Sequence, residues 1–188
     1  GTRIKLRFFA GKDFKESMLS DDNMEKLAYS KGVPMGGDLV YSDKQSPDFL
    51  VWALRDVNGA PLQRIQIIKG SVAQISGAPS EVVYDVVCSN GLKVDPVTNR
   101  CPDNGARVNI EDCSISSGIG SSELKALWRD PDFNPKEKSF YYVRVLENPT
   151  CRWSTWDAIK NGFEPRPDLH KTIQERAWSS PIWYTPSA

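Results

Sequence analysis

The sequence predicts a mainly β chain folded as a sandwich, with a long loop insertion and one or two short helices. Three observations predict it. Short apolar runs recur along the chain, turn-forming clusters of Gly, Pro, Asn and Asp separate them, and helical periodicity is confined to brief segments.

Thr2 to Phe9 alternates, with Ile4, Leu6 and Phe8 on one face, and reads as a strand. Asp21 and Asp22 open a helical segment from Asn23 to Ser30, which Gly32 closes. Val33 to Leu39 is a loop whose paired glycines permit positive φ. Phe49 to Leu54 is nearly all apolar and reads as a buried strand, followed by the turn signal Asn58-Gly59 and a second strand from Leu62 to Lys69. Glu81 to Val87 is a third strand. From Cys88 to Ser117, turn residues dominate and only Arg107 to Ile110 looks extended; this is the insertion. Ser122 to Trp128 fits a helix turn or a strand equally well, and Asp130 to Pro135 is a turn-rich connection. Phe140 to Leu146 carries the strongest strand pattern. Thr155 to Asn161 suits a short helix with Thr155 as cap and Gly162 as stop. Ala177 to Tyr184 is an aromatic strand interrupted by Pro181, which favours an edge or a bulge. Leu50, Trp52, Ile65, Ile67, Val83, Tyr141, Val143 and Val145 are expected on the inner faces.

The chain of 188 residues is long enough for one domain with a sizeable core, and residues 1–188 read as one. Lys and Arg number 24, as do Asp and Glu, so the balance lacks the basic excess of a nucleic-acid binder. No run of eighteen apolar residues suggests a transmembrane segment. The start at Gly1, without a methionine or a signal-peptide pattern, reads as a strand entered from a longer chain. Nothing in the residues fixes an oligomeric state.

The chain has one histidine, His170, and four cysteines, Cys88, Cys101, Cys113 and Cys151, with no paired metal-ligand spacing. An even cysteine count in a loop-rich chain points to disulfides and an oxidising compartment. Four cysteines allow three pairings. Gly91 and Asp95-Pro96 let the loop after Cys88 double back, which favours Cys88 with Cys101 and leaves Cys113 for Cys151.

Six stretches together resemble one family: Pro34-Met-Gly-Gly-Asp-Leu39, Leu62-Gln-Arg-Ile-Gln-Ile-Ile-Lys-Gly70, Asp130-Pro-Asp-Phe133, Phe140 to Pro149, Arg152-Trp-Ser-Thr-Trp-Asp157 and Gln174 to Tyr184. They are similar to the carboxy-terminal part of a bacterial family of unknown function whose amino-terminal part resembles the PHP (polymerase and histidinol phosphatase) metal-dependent phosphoesterases. The resemblance implies an immunoglobulin-like sandwich, a carboxy-terminal fragment of a larger protein, and an exported, periplasmic or lipid-anchored location. It also implies an upstream PHP-like module as partner, holding the divalent metal ions. No cofactor is expected in this fragment, because PHP sites need several histidines and carboxylates.

No catalytic residue is assigned. An Asp168–His170 pair could act as base and orienter, but a proline-rich surface loop is the simpler setting. Asp95, Asn99 and Asp103, with Asn104 and Glu111 nearby, offer oxygen ligands for calcium, yet these are also the usual turn formers. Gly36, Gly37 and Asp38 are candidates for an interdomain or ligand contact. Core or interdomain packing is the favoured reading of the six tryptophans, with Trp153 and Trp156 the pair most apt to be exposed. Exposed rings would instead suit an independent carbohydrate-binding module. Arg7, Arg64 and Arg144 are expected in ordinary rim ion pairs with Glu175 or Asp85.

Overall fold

Residues of high β propensity fill two facing sheets. In chain order the elements are β1 (Lys5–Gly11), α1 (Met24–Lys31), β2 (Gly32–Pro34), β3 (Asp38–Tyr41), β4 (Asp48–Leu54), β5 (Leu62–Val72) and β6 (Pro79–Cys88). There follow β7 (Glu123–Arg129), β8 (Lys138–Glu147), β9 (Thr150–Cys151), α2 (Trp153–Asn161), β10 (Thr172–Ile173), β11 (Arg176–Trp178) and β12 (Ile182–Pro186). The computed structural model describes residues 1–41, 44–73 and 77–186.

One of the two facing sheets runs β2-β1-β4-β7 and the other β3-β12-β8-β5-β6, with β11 also pairing β8, while β9 and β10 pair in a small sheet of their own. Every pairing is antiparallel except that of β12 with β3. Between the sheets, Phe8, Phe49 and Val51 meet Ile65, Ile67, Tyr141, Val143, Val145 and Ile182 in a common core. Each large apolar side chain fully buried here contributes about 1.5–3 kcal/mol.

Three of the expected inner residues lie elsewhere. Leu50 and Trp52 project from the other side of β4, where Leu50, Phe9, Met18, Met24 and Ala28 form a second cluster beneath α1 and the 3-10 turn Glu16–Ser20. Both faces of β4 are covered, so its apolar run carries no alternation from which to choose a side. Val83 pairs with Ile68, which also faces Tyr142, placing it on the outer side. Further along the same pair of strands, a β-bulge between Ile65 and Gln66, opposite Val87 and Asp85, shifts the register.

Ser122 to Trp128 resolves as strand β7, since Leu124, Ala126 and Trp128 face the core in alternation. The expected loop 33–39 contributes two short edge strands. In α2 the cap is Arg152 rather than Thr155, whose buried Oγ1 donates instead to the Lys171 carbonyl at 2.8 Å. Gly162 ends α2 in the left-handed region at φ 69°, where a Cβ would be strained.

Disulfides join Cys88 to Cys101 and Cys113 to Cys151, with Cα separations of 5.7 and 5.6 Å. This is the pairing that the loop geometry favours. Asparagines complete the anchoring of the insertion. Asn104 Nδ2 donates to Asn148 Oδ1 at 2.8 Å, and Asn148 Nδ2 donates to the Ile119 carbonyl at 2.9 Å.

Candidate functional site

Sequence alternation along β8 sends Phe140, Tyr142 and Arg144 away from the core. Cross-strand pairing brings Phe140 opposite Gly70 on one side and Trp183 on the other. The Phe140 ring covers Gly70 so closely that any Cβ there would collide with it. Phe140 and Trp183 have ring centroids 5.2 Å apart, and Phe140 stacks beside Tyr142 at 6.3 Å. With Val72 these residues make an aromatic outer face on the larger sheet. A shallow depression of about 290 Å³ sits in it, lined by Gly70, Val72, Lys138, Phe140, Trp183 and Thr185. Trp183 is 48% exposed.

Gly36, Gly37 and Asp38 border this face. Trp183 N–H donates to the Gly37 carbonyl at 3.1 Å, Gly36 N–H donates to the Pro181 carbonyl at 2.9 Å, and Asp38 pairs with Trp183 along β3. Trp153 and Trp156 are not part of it. They lie on α2, which follows the Cys113–Cys151 bridge, and are 74% and 42% exposed. The five candidate contact residues therefore fall in two separate places. Core packing accounts for two of the six tryptophans: Trp128 and Trp52 are half-buried against the larger and the smaller apolar cluster, whereas Trp153, Trp156, Trp178 and Trp183 are exposed.

His170 is exposed and Asp168 does not orient it. Both Asp168 oxygens accept from Arg166, at 3.0 and 2.6 Å. The calcium candidates are committed to turns. Asp95 Oδ1 accepts the Val97 and Thr98 amides at 2.8 and 2.9 Å, Asn99 sits at φ 54°, and Asp103 is held by Arg107 at 2.6 Å. Among the described residues no three His, Cys, Asp or Glu side chains are grouped to hold a metal ion. Of the strand arginines, Arg64 reaches Asp85 at 3.7 Å, Arg7 pairs instead with Glu25 at 3.0 Å, and Arg144 donates to Gln66 Oε1 at 2.7 Å.

A buried polar cluster went unnoticed in the sequence. Lys69 Nζ lies 2.6 Å from Asp130 Oδ2 and donates to the Asp132 carbonyl at 2.7 Å. Tyr141 donates to Asp130 at 2.8 Å and Tyr84 to Asp132 at 2.6 Å. Burial, together with the neighbouring carboxylates, pushes both phenols well above the usual tyrosine range. Lys69 and Asp130 are both almost wholly buried, so each compensates the desolvation of the other, and the pair ties β5 to the residue that follows β7. The available signal was the Asp-Pro-Asp turn preceding a Tyr-rich strand.

A mainly β sandwich, tethered by two disulfides and carrying an aromatic outer face, is the class this geometry defines. A family model described as protein of unknown function (DUF3604) matches residues 1–186, and the chain belongs to that family. Neither the curated proteins nor the solved structures gave a match. No helix among the described residues is long and apolar enough to cross a membrane.

Proposed function

We propose that the chain is a non-catalytic β-sandwich module that packs on an upstream PHP-like metal phosphoesterase module of the same protein and shapes its mouth. The observation that carries this reading is the contiguous aromatic face of Phe140, Tyr142 and Trp183, bordered by Gly36–Asp38. Its rings lean on one another at 5.2 and 6.3 Å as a continuous patch, which suits burial against another protein surface. We also read the sandwich as immunoglobulin-like. Apart from the short edges β2 and β3 and the off-path β11, the strands run β1-β4-β7 and β12-β8-β5-β6. Lettered in chain order, that is the A-B-E and G-F-C-C′ arrangement. Two disulfides suit an exported, periplasmic or lipid-anchored protein in a bacterium.

The test compares the intact protein with this chain alone, each supplied with divalent metal. Phosphoesterase activity is expected only in the intact protein, with amide exchange in β8 and β12 slowed at least several-fold relative to the isolated chain. Activity in the 188-residue chain alone, or equal exchange in both, would overturn the reading. Independent carbohydrate binding is the second reading, favoured by the exposure of Trp153 and Trp156 one helical turn apart. It requires glycan binding by the isolated chain that Trp153→Ala removes.

A further inference from the structure

We infer that the chain binds a multiply charged tetrahedral oxyanion, phosphate or sulfate, in an arginine-lined cleft separate from the aromatic face. The cleft has a volume of about 670 Å³. It opens between the start of β5, the Asp103–Arg107 turn of the insertion, the β9–α2 junction and the segment from His170 to Arg176. Arg64, Arg107, Arg152 and Arg176 line it together with His170, and among the described residues Asp103 is the one carboxylate in its lining. Over the whole chain Lys plus Arg equals Asp plus Glu at 24 each, so this local positive excess is a concentration of charge and not general basicity.

The decisive detail is what two of these four arginines lack. Arg64 Nε and Arg152 Nε are both buried and have no hydrogen-bond partner among the described residues. A guanidinium left unmatched at a buried donor costs more than an ordinary hydrogen bond returns, and an anion held by the same guanidinium in the cleft would offset part of that cost. Asp85, the acid nearest Arg64, stands 3.7 Å from Nε and is already occupied by the Gln66 side chain and the Cys101 amide at 2.6 and 2.7 Å. Arg107 is neutralised by Asp103, whereas Arg176 lies over the Trp178 ring at 5.9 Å. The planar fork of guanidinium matches oxyanions in paired hydrogen bonds, and several forks in one cleft match an anion with several oxygens and more than one charge. The Cys113–Cys151 bridge and the Asn104–Asn148 bond hold the insertion against the β9 end of the sandwich, so the cleft is formed before any ligand arrives.

The inference stands independently of the module's docking, because it is tested on the 188-residue chain alone. Inorganic phosphate and inorganic sulfate are titrated calorimetrically against chloride at matched ionic strength, which removes general screening. Saturable binding of phosphate or sulfate is expected. Arg152→Gln and Arg64→Gln should each weaken it by about tenfold or more, the factor for one charge-assisted hydrogen bond. Asp103→Asn should tighten it by releasing Arg107. Each variant's melting temperature in chloride identifies any that fail to fold, and the exposed Arg176→Gln then serves in place of a lost one. Phenyl phosphate separates the two sources of the same group: tighter binding than inorganic phosphate marks the terminus of a larger molecule, and weaker binding marks the free ion. No saturable binding by the parent chain, or undiminished binding by folded Arg152→Gln, would overturn the inference.

Discussion

Asp103 has the most clearly perturbed carboxyl on the surface of the insertion. The hydrogen bond from Arg107, followed by the Gly105 amide, lowers its pKa from the ordinary 3.8 to about 2. A depressed carboxyl favours the folded state above the unfolded value, and that contribution disappears as pH falls through about 2. The carboxyl carbon of Asp103 should therefore titrate near pH 2 by NMR, and in Arg107→Gln its midpoint should move up towards 3.8. An unchanged midpoint in the variant would show that the guanidinium is not the cause. The same contact was hidden in the sequence. Asp103 read as a calcium-type oxygen, because nothing in a run of Asp, Asn and Gly reveals that an arginine four positions on will claim both oxygens.

At the scale of elements, the insertion is held by covalent bonds more than by secondary structure, since its backbone contributes a three-residue 3-10 turn at Ser89–Gly91 and isolated bridges such as Val108–Ile115. The Cys113–Cys151 bridge spans 38 positions, for which the chain-entropy estimate gives about 4 kcal/mol. Replacing both cysteines by serine should lower the denaturant midpoint accordingly and speed amide exchange through residues 102–117, while β5 and β8 keep their protection. An unchanged midpoint would mean that the asparagine contacts suffice. Elements with alternating or β-branched patterns were legible: β5, β8 and the end of α2 at Gly162 lie close to where the residues place them, whereas the expected strand Ala177 to Tyr184 divides at Pro181 into β11 and β12, and β12 lies between β3 and β8 and not at an edge. Positions decided by tertiary context were not. Val83 and Tyr84 alternate, and only the pairing of Tyr84 with the core residue Ile67 decides which of the two faces inward, while β4 is covered on both faces, so Leu50 and Trp52 had no polar neighbours to fix their side. The aromatic face was equally hidden, because Gly70, Phe140 and Trp183 become neighbours only through strand pairing.

At the scale of the whole molecule, the two apolar clusters differ in what they hold together. The larger draws on both sheets, with Val143 fully buried at its centre between Ile67 on β5 and the facing sheet. The smaller lies outside the first sheet and fastens α1 and the 3-10 turn to β1, β4 and, through Leu127, β7. Damage to them should have different reach. A carboxylate at position 143 has no partner in that core and would have to be buried against a penalty comparable to the stability of the entire domain. Val143→Asp should abolish cooperative unfolding and near-ultraviolet circular dichroism altogether. Met24→Ala removes a side chain 4% exposed in the smaller cluster and should cost about 2–5 kcal/mol by cavity formation, leaving both sheets assembled. Thermal melts followed by circular dichroism distinguish the two. A native-like melting temperature in Val143→Asp would show that the register of β8 described here is wrong, and complete unfolding of Met24→Ala would show that the sheets depend on α1 after all.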